Sequence, residues 1–308
     1  MAFEPKPHAG SLHHYAKKLV AFERRTESTV SQPNVLVWIG GLGDGLLSVK
    51  YANTLADSLT PSWSLTQILL SSSYGGWGTS SLRKDVEEIA EFVAYIQKLR
   101  PGIKVVLMGH STGSQDTLEY LTGASNEKRP KVHGAILQGG ISDREGLVAF
   151  LPDGIYENSV KLSKEWMAQG RGEEILPTDA TADFFGSPVS ARRWLSLLSP
   201  DKNSEEDLFS SDLPLSKFQS TFGKLKKETP LLILFGEEDE YVPFDVDKQK
   251  LVSTWTNIVK ESGGIVDEEF GGIIPGATHN LGGSDDGVVK DLIRRVNGFL
   301  GKVESGQF

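Results

Sequence analysis

The chain has 308 residues, 38% of them hydrophobic, together with 33 glycines, enough apolar material for a sizeable core, which excludes a wholly disordered chain. Its 32 Lys and Arg stand against 41 Asp and Glu, a net charge of −9 with no basic block, which argues against a phosphate-backbone binder, so no nucleic-acid partner is expected. Cysteine is absent, which rules out disulfides, a thiolate nucleophile and Cys-ligated zinc.

In chain order, residues 12–15 and 19–23 read as an antiparallel edge pair. Short β-rich runs follow at 35–39, 65–70, 103–108, 132–137 and 231–235, with a weaker one at 265–270. Between them lie helical periods. Ala52, Leu55, Ala56 and Leu59 share one face, Val86, Ile89, Val93 and Ile96 another, and Val289, Leu292, Ile293 and Val296 a third. Strand alternating with helix predicts an α/β fold, a mostly parallel central sheet flanked by helices. No run approaches the roughly 18 apolar residues of a membrane span. The polar N-terminus has no apolar leader core, so a cytoplasmic protein without a membrane partner is expected.

One stretch breaks the alternation. Residues 141–228 contain no clear buried strand but hold Phe150, Tyr156, Trp166, Phe184, Phe185, Trp194, Phe209 and Phe218. That is too long for a plain crossover. It reads as a mainly helical cap inserted into a single domain spanning 1–308, most of its aromatics forming the cap's own core.

The sharpest chemical motif is Gly109-His110-Ser111-Thr112-Gly113. A G-x-S-x-G string alone is weak, but this one follows a predicted strand and leads into a helical run, the setting of a nucleophile elbow. A serine hydroxyl needs a base, and the base an orienting carboxylate. Of six histidines, His8, His13 and His14 precede the serine. His110 adjoins it and His133 opens a predicted strand. His279 remains, in a loop after the last predicted strand, as the expected base. For the acid, Asp239 lies three residues beyond Gly236 at the end of the 231–235 strand, where open α/β sheets place their ligand chemistry. Glu237, Glu238 and, after an earlier strand, Asp143 are the alternatives.

An oxyanion hole needs donors aimed at the developing charge. The backbone N–H of Thr112 is one candidate. The N–H of Leu42, in the loop Gly40-Gly41-Leu42-Gly43-Asp44-Gly45, is the other, since glycines allow close backbone approach. The same loop is not a dinucleotide fingerprint, because Leu46 stands where the third glycine belongs. Tyr74 and Trp77, in the Ser71–Gly78 stretch after a predicted strand, are candidate substrate contacts. No metal site is expected: carboxylates at ligand spacing do not accompany His8, His13 and His14, and adjacent strand residues point to opposite faces. No cofactor is implied.

With these motifs in this order, the chain resembles the α/β-hydrolase superfamily. Leu12-His13-His14-Tyr15, the Gly40–Gly45 loop and Gly139-Gly140-Ile141-Ser142-Asp143-Arg144-Glu145 resemble, more narrowly, the fungal siderophore esterases of the fusarinine C type. The resemblance implies a serine esterase opening hydroxamate siderophore esters and releasing iron inside the cell. It supports Ser111, Asp239 and His279 and adds Arg144 as a substrate-binding residue. Two other expectations stand beside it: a serine hydrolase for another small ester, lipid or xenobiotic, and a non-catalytic binding protein on the same fold.

Overall fold

A computed structural model describes residues 6–26 and 29–308. Among these, eight strands form one sheet: β1 (Ser11–Ala16), β2 (Leu19–Arg24), β3 (Asn34–Ile39), β4 (Trp63–Ile68), β5 (Val105–His110), β6 (Gly134–Gln138), β7 (Leu231–Gly236) and β8 (Gly272–Ile274). Their spatial order is β1-β2-β4-β3-β5-β6-β7-β8. The β1–β2 and β2–β4 pairings are antiparallel and all later ones parallel. This is the expected mostly parallel sheet with an antiparallel edge.

β5, β6 and β7 are buried throughout, because helices cover both faces and each strand is nearly continuous in apolar residues. On one face, Leu36, Trp38, Val106, Met108, Leu232 and Leu234 pack against α1 (Lys50–Ser58) and α9 (Asp286–Ser305), through residues such as Leu55, Leu292 and Phe299. On the other, Val35, Val37, Val105 and Leu107 meet Val86, Ile89, Phe92 and Val93 of α2 (Leu82–Leu99). The alternation of neighbours such as Val106 and Leu107 between clusters is the period-2 side-chain geometry of a strand. α3 (Thr112–Thr122) follows β5 directly, and α8 (Lys248–Glu261) covers the β7 end.

The expected strand at 265–270 is not one. Val266 makes a single bridge to Leu231. Asp267 then turns the chain, its Oδ1 accepting the N–H groups of Glu269 (3.0 Å) and Phe270 (3.3 Å), as Asp does in Asx-type turns. The strand that pairs with β7 is β8, a few residues later.

Between β6 and β7 lie α4 (Asp143–Val148), α5 (Ile155–Ala168), α6 (Ala191–Leu198) and α7 (Leu215–Thr221). Their aromatics do not share one core. Trp194, Phe184, Tyr156 and Trp166 cluster with Trp77, which lies outside the segment. Phe209 and Phe218 join Phe222 and Trp255 over the sheet, while Phe150 and Phe185 stay exposed.

Candidate active site

Ser111 occupies the turn from β5 to α3 with φ 55° and ψ −125°, a conformation costing an L-residue roughly 1–3 kcal/mol and kept only where the surroundings enforce it. They do so through small residues. A Cβ on Gly109 would stand 2.1 Å from the Gly113 carbonyl oxygen, and one on Gly113 2.3 Å from that of Ile39. The Ser111 N–H is tied to the Gln138 carbonyl (3.0 Å), and the Ser114 hydroxyl donates to the Gly109 carbonyl (3.0 Å). The elbow is thus locked to β3 and β6 by backbone contacts.

His279 lies in the loop beyond β8. Its backbone is held by the Glu240 carboxylate, which accepts its N–H (2.8 Å), and by the Gln138 amide, which donates to its carbonyl (3.1 Å). Its ring joins two partners. Nε2 is 2.8 Å from Ser111 Oγ and Nδ1 is 2.8 Å from Asp239 Oδ2. With Nδ1–H donated to the carboxylate, Nε2 is left to accept the serine proton. Asp239 is buried, and its Oδ1 accepts the Tyr241 N–H (3.1 Å). The other carboxylates are engaged elsewhere. Asp143 Oδ2 accepts the Gln115 amide (2.6 Å) and Glu237 Oε2 the Gly276 N–H (2.9 Å). Glu238 is exposed.

His110, next to the serine, is buried, with Nδ1–H donated to Gln138 Oε1 and its ring stacked on Trp38. Burial, with His279 nearby, pushes its pKa down to about 4, so it stays neutral through the physiological range. It supports the turn rather than exchanging protons.

In the loop after β3, Asp44 Oδ2 accepts the Gly41 N–H (2.8 Å), and the Gly41 carbonyl accepts the Asp44 N–H (3.0 Å). The closed turn leaves the Leu42 N–H without a protein partner among the described residues. The Thr112 N–H opens α3 and has no intrahelical acceptor, so the positive end of the helix lies beside Ser111. A cleft of about 570 Å³, open mouth included, lies over Ser111 and His279 and is lined also by Leu42, Asp143, Leu147, Phe185 and Tyr241.

None of the three expected substrate contacts lines the cleft over Ser111. Trp77 is buried, edge-on to Phe184 and Phe185. Tyr74 packs its ring on Gly45 and accepts the Leu46 N–H (3.0 Å), bracing the glycine loop from outside the cleft. Arg144 pairs with Asp207 and Asp212. A residue near the sheet edge can point away from the site, and spacing alone does not reveal which way it points. Tyr241 and Phe185 were missed as lining residues. Tyr241 had a signal, lying two residues after Asp239, and Phe185 had one only in its place among the aromatics of residues 141–228. Among the described residues, no three His, Cys, Asp or Glu side chains are grouped to hold a metal ion, and no helix is long and apolar enough to cross a membrane.

Residues 1–301 match the family model described as "Protein of unknown function (DUF1749)". The chain belongs to this family. It is 38% identical to "Esterase AN6793" of Emericella nidulans, over 97% of this chain and 94% of that protein. It is 36% identical to "Fusarinine C esterase sidJ" of Aspergillus fumigatus, over 94% and 95% of the two chains. The solved structure titled "Siderophore hydrolase EstB from Aspergillus fumigatus" superposes with a TM-score of 0.84 at 36% identity, covering 98% of this chain and 99% of that one. These relatives bear out the resemblance to the fungal siderophore esterases and the α/β-hydrolase fold. The protein is a carboxylic ester hydrolase.

Proposed function

We propose that the protein hydrolyses ester bonds of a hydroxamate siderophore of the fusarinine C type in the cytoplasm, releasing its iron there, with Ser111 as nucleophile. The support is the unbroken hydrogen-bond chain Ser111 Oγ, His279, Asp239, at 2.8 Å for each link, in a relative of proteins named for siderophore cleavage.

Ser111 Oγ attacks the ester carbonyl carbon while His279 Nε2 takes its proton. Asp239 holds the imidazole by Nδ1–H and steadies its positive form. The Leu42 and Thr112 N–H groups meet the oxyanion of the tetrahedral intermediate. His279 then returns the proton to the departing alcohol oxygen as the carbonyl reforms. Water, deprotonated by the same imidazole, cleaves the acyl-enzyme and regenerates the serine. Residues 141–228 serve in this reading as a cap over the cleft, with Ile141, Asp143, Leu147 and Phe185 as the walls they contribute.

Mass spectrometry of ferric fusarinine C incubated with wild type and with Ser111→Ala tests the proposal, with a nitrophenyl ester as activity control. Linear hydroxamate fragments from wild type alone are expected. An intact siderophore beside a cleaved nitrophenyl ester sinks the substrate reading and keeps the nucleophile. A smaller lipid or xenobiotic ester then becomes the better reading, favoured by the apolar lining of Leu42, Ile141 and Leu147. If a fluorophosphonate probe fails to label Ser111, the nucleophile assignment fails.

A further inference from the structure

Three side chains that line the cleft have no part in the ester chemistry. Asp143 opens α4 and gives one carboxylate oxygen to Gln115. Tyr241 sets its ring edge-on to His279, centroids 4.9 Å apart, and against Phe150. Phe185, half exposed, forms another wall. α4, which Asp143 opens, runs close to Tyr241: a Cβ on Gly146 of that helix would stand 2.7 Å from the Tyr241 carbonyl oxygen, and both Asp143 and Tyr241 line the cleft.

The cleft's charge is one-sided. Among the described residues its lining includes the carboxylates Asp44 and Asp143 and no Lys or Arg. Asp44 is occupied by the Gly41 N–H and the Ser48 hydroxyl. Behind Asp143 lie further buried acids, only partly balanced by one cation. The buried carboxylates of Asp85, Asp116 and Glu206 surround the buried Arg193 guanidinium, which donates to Glu206 and to the Trp77 carbonyl. Asp116 Oδ1, Glu206 Oε2 and Gln115 Oε1 have no hydrogen-bond partner among the described residues. Burial pushes the carboxyls of Asp85 and Asp143 up to about 6, and that of Asp116 well above its usual range. A low-dielectric region with surplus carboxylates favours any cation that can approach it, and Asp143 is the member of the group that reaches the cleft.

We infer that Asp143 is a specificity-determining residue which, with the Tyr241 and Phe185 rings, favours esters carrying an ammonium group near the scissile carbonyl. The inference rests on the Ser111 reading above and adds the substrate's charge to it. A carboxylate supplies the counter-charge, and aromatic rings lining the same cleft add cation–π attraction where a ring face meets the cation, stronger where water is excluded.

The test compares two nitrophenyl esters of equal shape, one with an acyl chain ending in trimethylammonium, the other in tert-butyl. Wild type is expected to favour the ammonium ester by about tenfold or more in kcat/KM, the effect of a partly desolvated cation site. In Asp143→Asn the ratio is expected to fall towards one. A second measurement needs no variant: tetramethylammonium should inhibit wild-type hydrolysis of the tert-butyl ester competitively. A wild-type ratio near one, no such inhibition, or a preference undiminished in Asp143→Asn each overturns the inference. Cleavage of the tert-butyl ester without preference leaves the Ser111 reading standing. If wild type cleaves neither ester, both readings fail.

Discussion

Gly41 abuts Ser111 so closely that a Cβ on the glycine would stand 2.6 Å from the serine Cβ and 3.1 Å from its Oγ. No real side chain tolerates the first distance, so the loop that carries the Leu42 N–H can approach the nucleophile only with glycine at this place. The glycine's role here is steric proximity.

Gly41→Ala therefore displaces the loop or the serine. Because losing one oxyanion donor costs about 10²–10³ in rate, kcat on a nitrophenyl ester is expected to fall by that order. KM should change little, while the clash should cost about 1–3 kcal/mol of stability and lower the thermal midpoint. An activity within threefold of wild type would separate Leu42 from the oxyanion role.

Asp239→Asn keeps the shape of the side chain but reverses the hydrogen bond to His279 Nδ1, stabilising the wrong tautomer. A loss of about 10⁴ in kcat is expected, the magnitude such a change carries in a Ser-His-Asp system. Stopped assays with and without Ser111→Ala set the background. A loss below tenfold would transfer the acid role to another carboxylate, with Asp143 first in line.

Trp77 is a support rather than a contact. It is buried among Phe184, Trp194 and Leu176, and Trp77→Ala is expected to cost about 3–5 kcal/mol of stability through the cavity it leaves. Denaturant unfolding measures this. The Phe185 wall rests on the Trp77 ring, so KM should rise in the same variant.

Asp143 also has a stability signature. Its carboxyl titrates near 6 in the folded chain against an ordinary value of 3.8, so between those values the folded state holds a proton that the unfolded state has released. Stability contributed by this group therefore falls as pH rises from about 4 to above 6, by about 3 kcal/mol in all. Asp143→Asn lacks that decline. Unfolding free energies at pH 4.5 and 7.5 should show the variant gaining on wild type at the higher pH. Parallel curves for the two proteins would mean that Asp143 is not held protonated. Glu23 acts in the opposite sense. His13, Arg100, Arg25 and Ser64 hold its carboxyl well below the usual range against the penalty of its burial, so its contribution is lost only in stronger acid.

The strands near the site were legible because burial on both faces leaves near-continuous apolar runs, as in β7, Leu231–Gly236. The last strand was misread for a local reason. Residues 265–270 carry β-type side chains, but the Asp267 carboxylate captures two backbone N–H groups and turns the chain first. Tyr74, Trp77 and Arg144 do not line the cleft over Ser111, and the sequence could not show this because the direction of a loop side chain depends on partners such as Leu46, Phe184 and Asp207, none of them a near neighbour in the chain.

By itself, the sequence determined the elbow at Ser111, the glycine loop beside it and the order of strands and helices. These rest on sterics and periodicity that act within a few residues. Only the tertiary structure decided which carboxylate meets His279. Asp143 and Asp239 each follow a parallel strand of the same sheet, and both are buried. The choice turned on how β8 and the loop after it deliver the imidazole, with Glu240 and Gln138 gripping its backbone. Such a pairing joins residues far apart in the chain, and no short-range pattern encodes it.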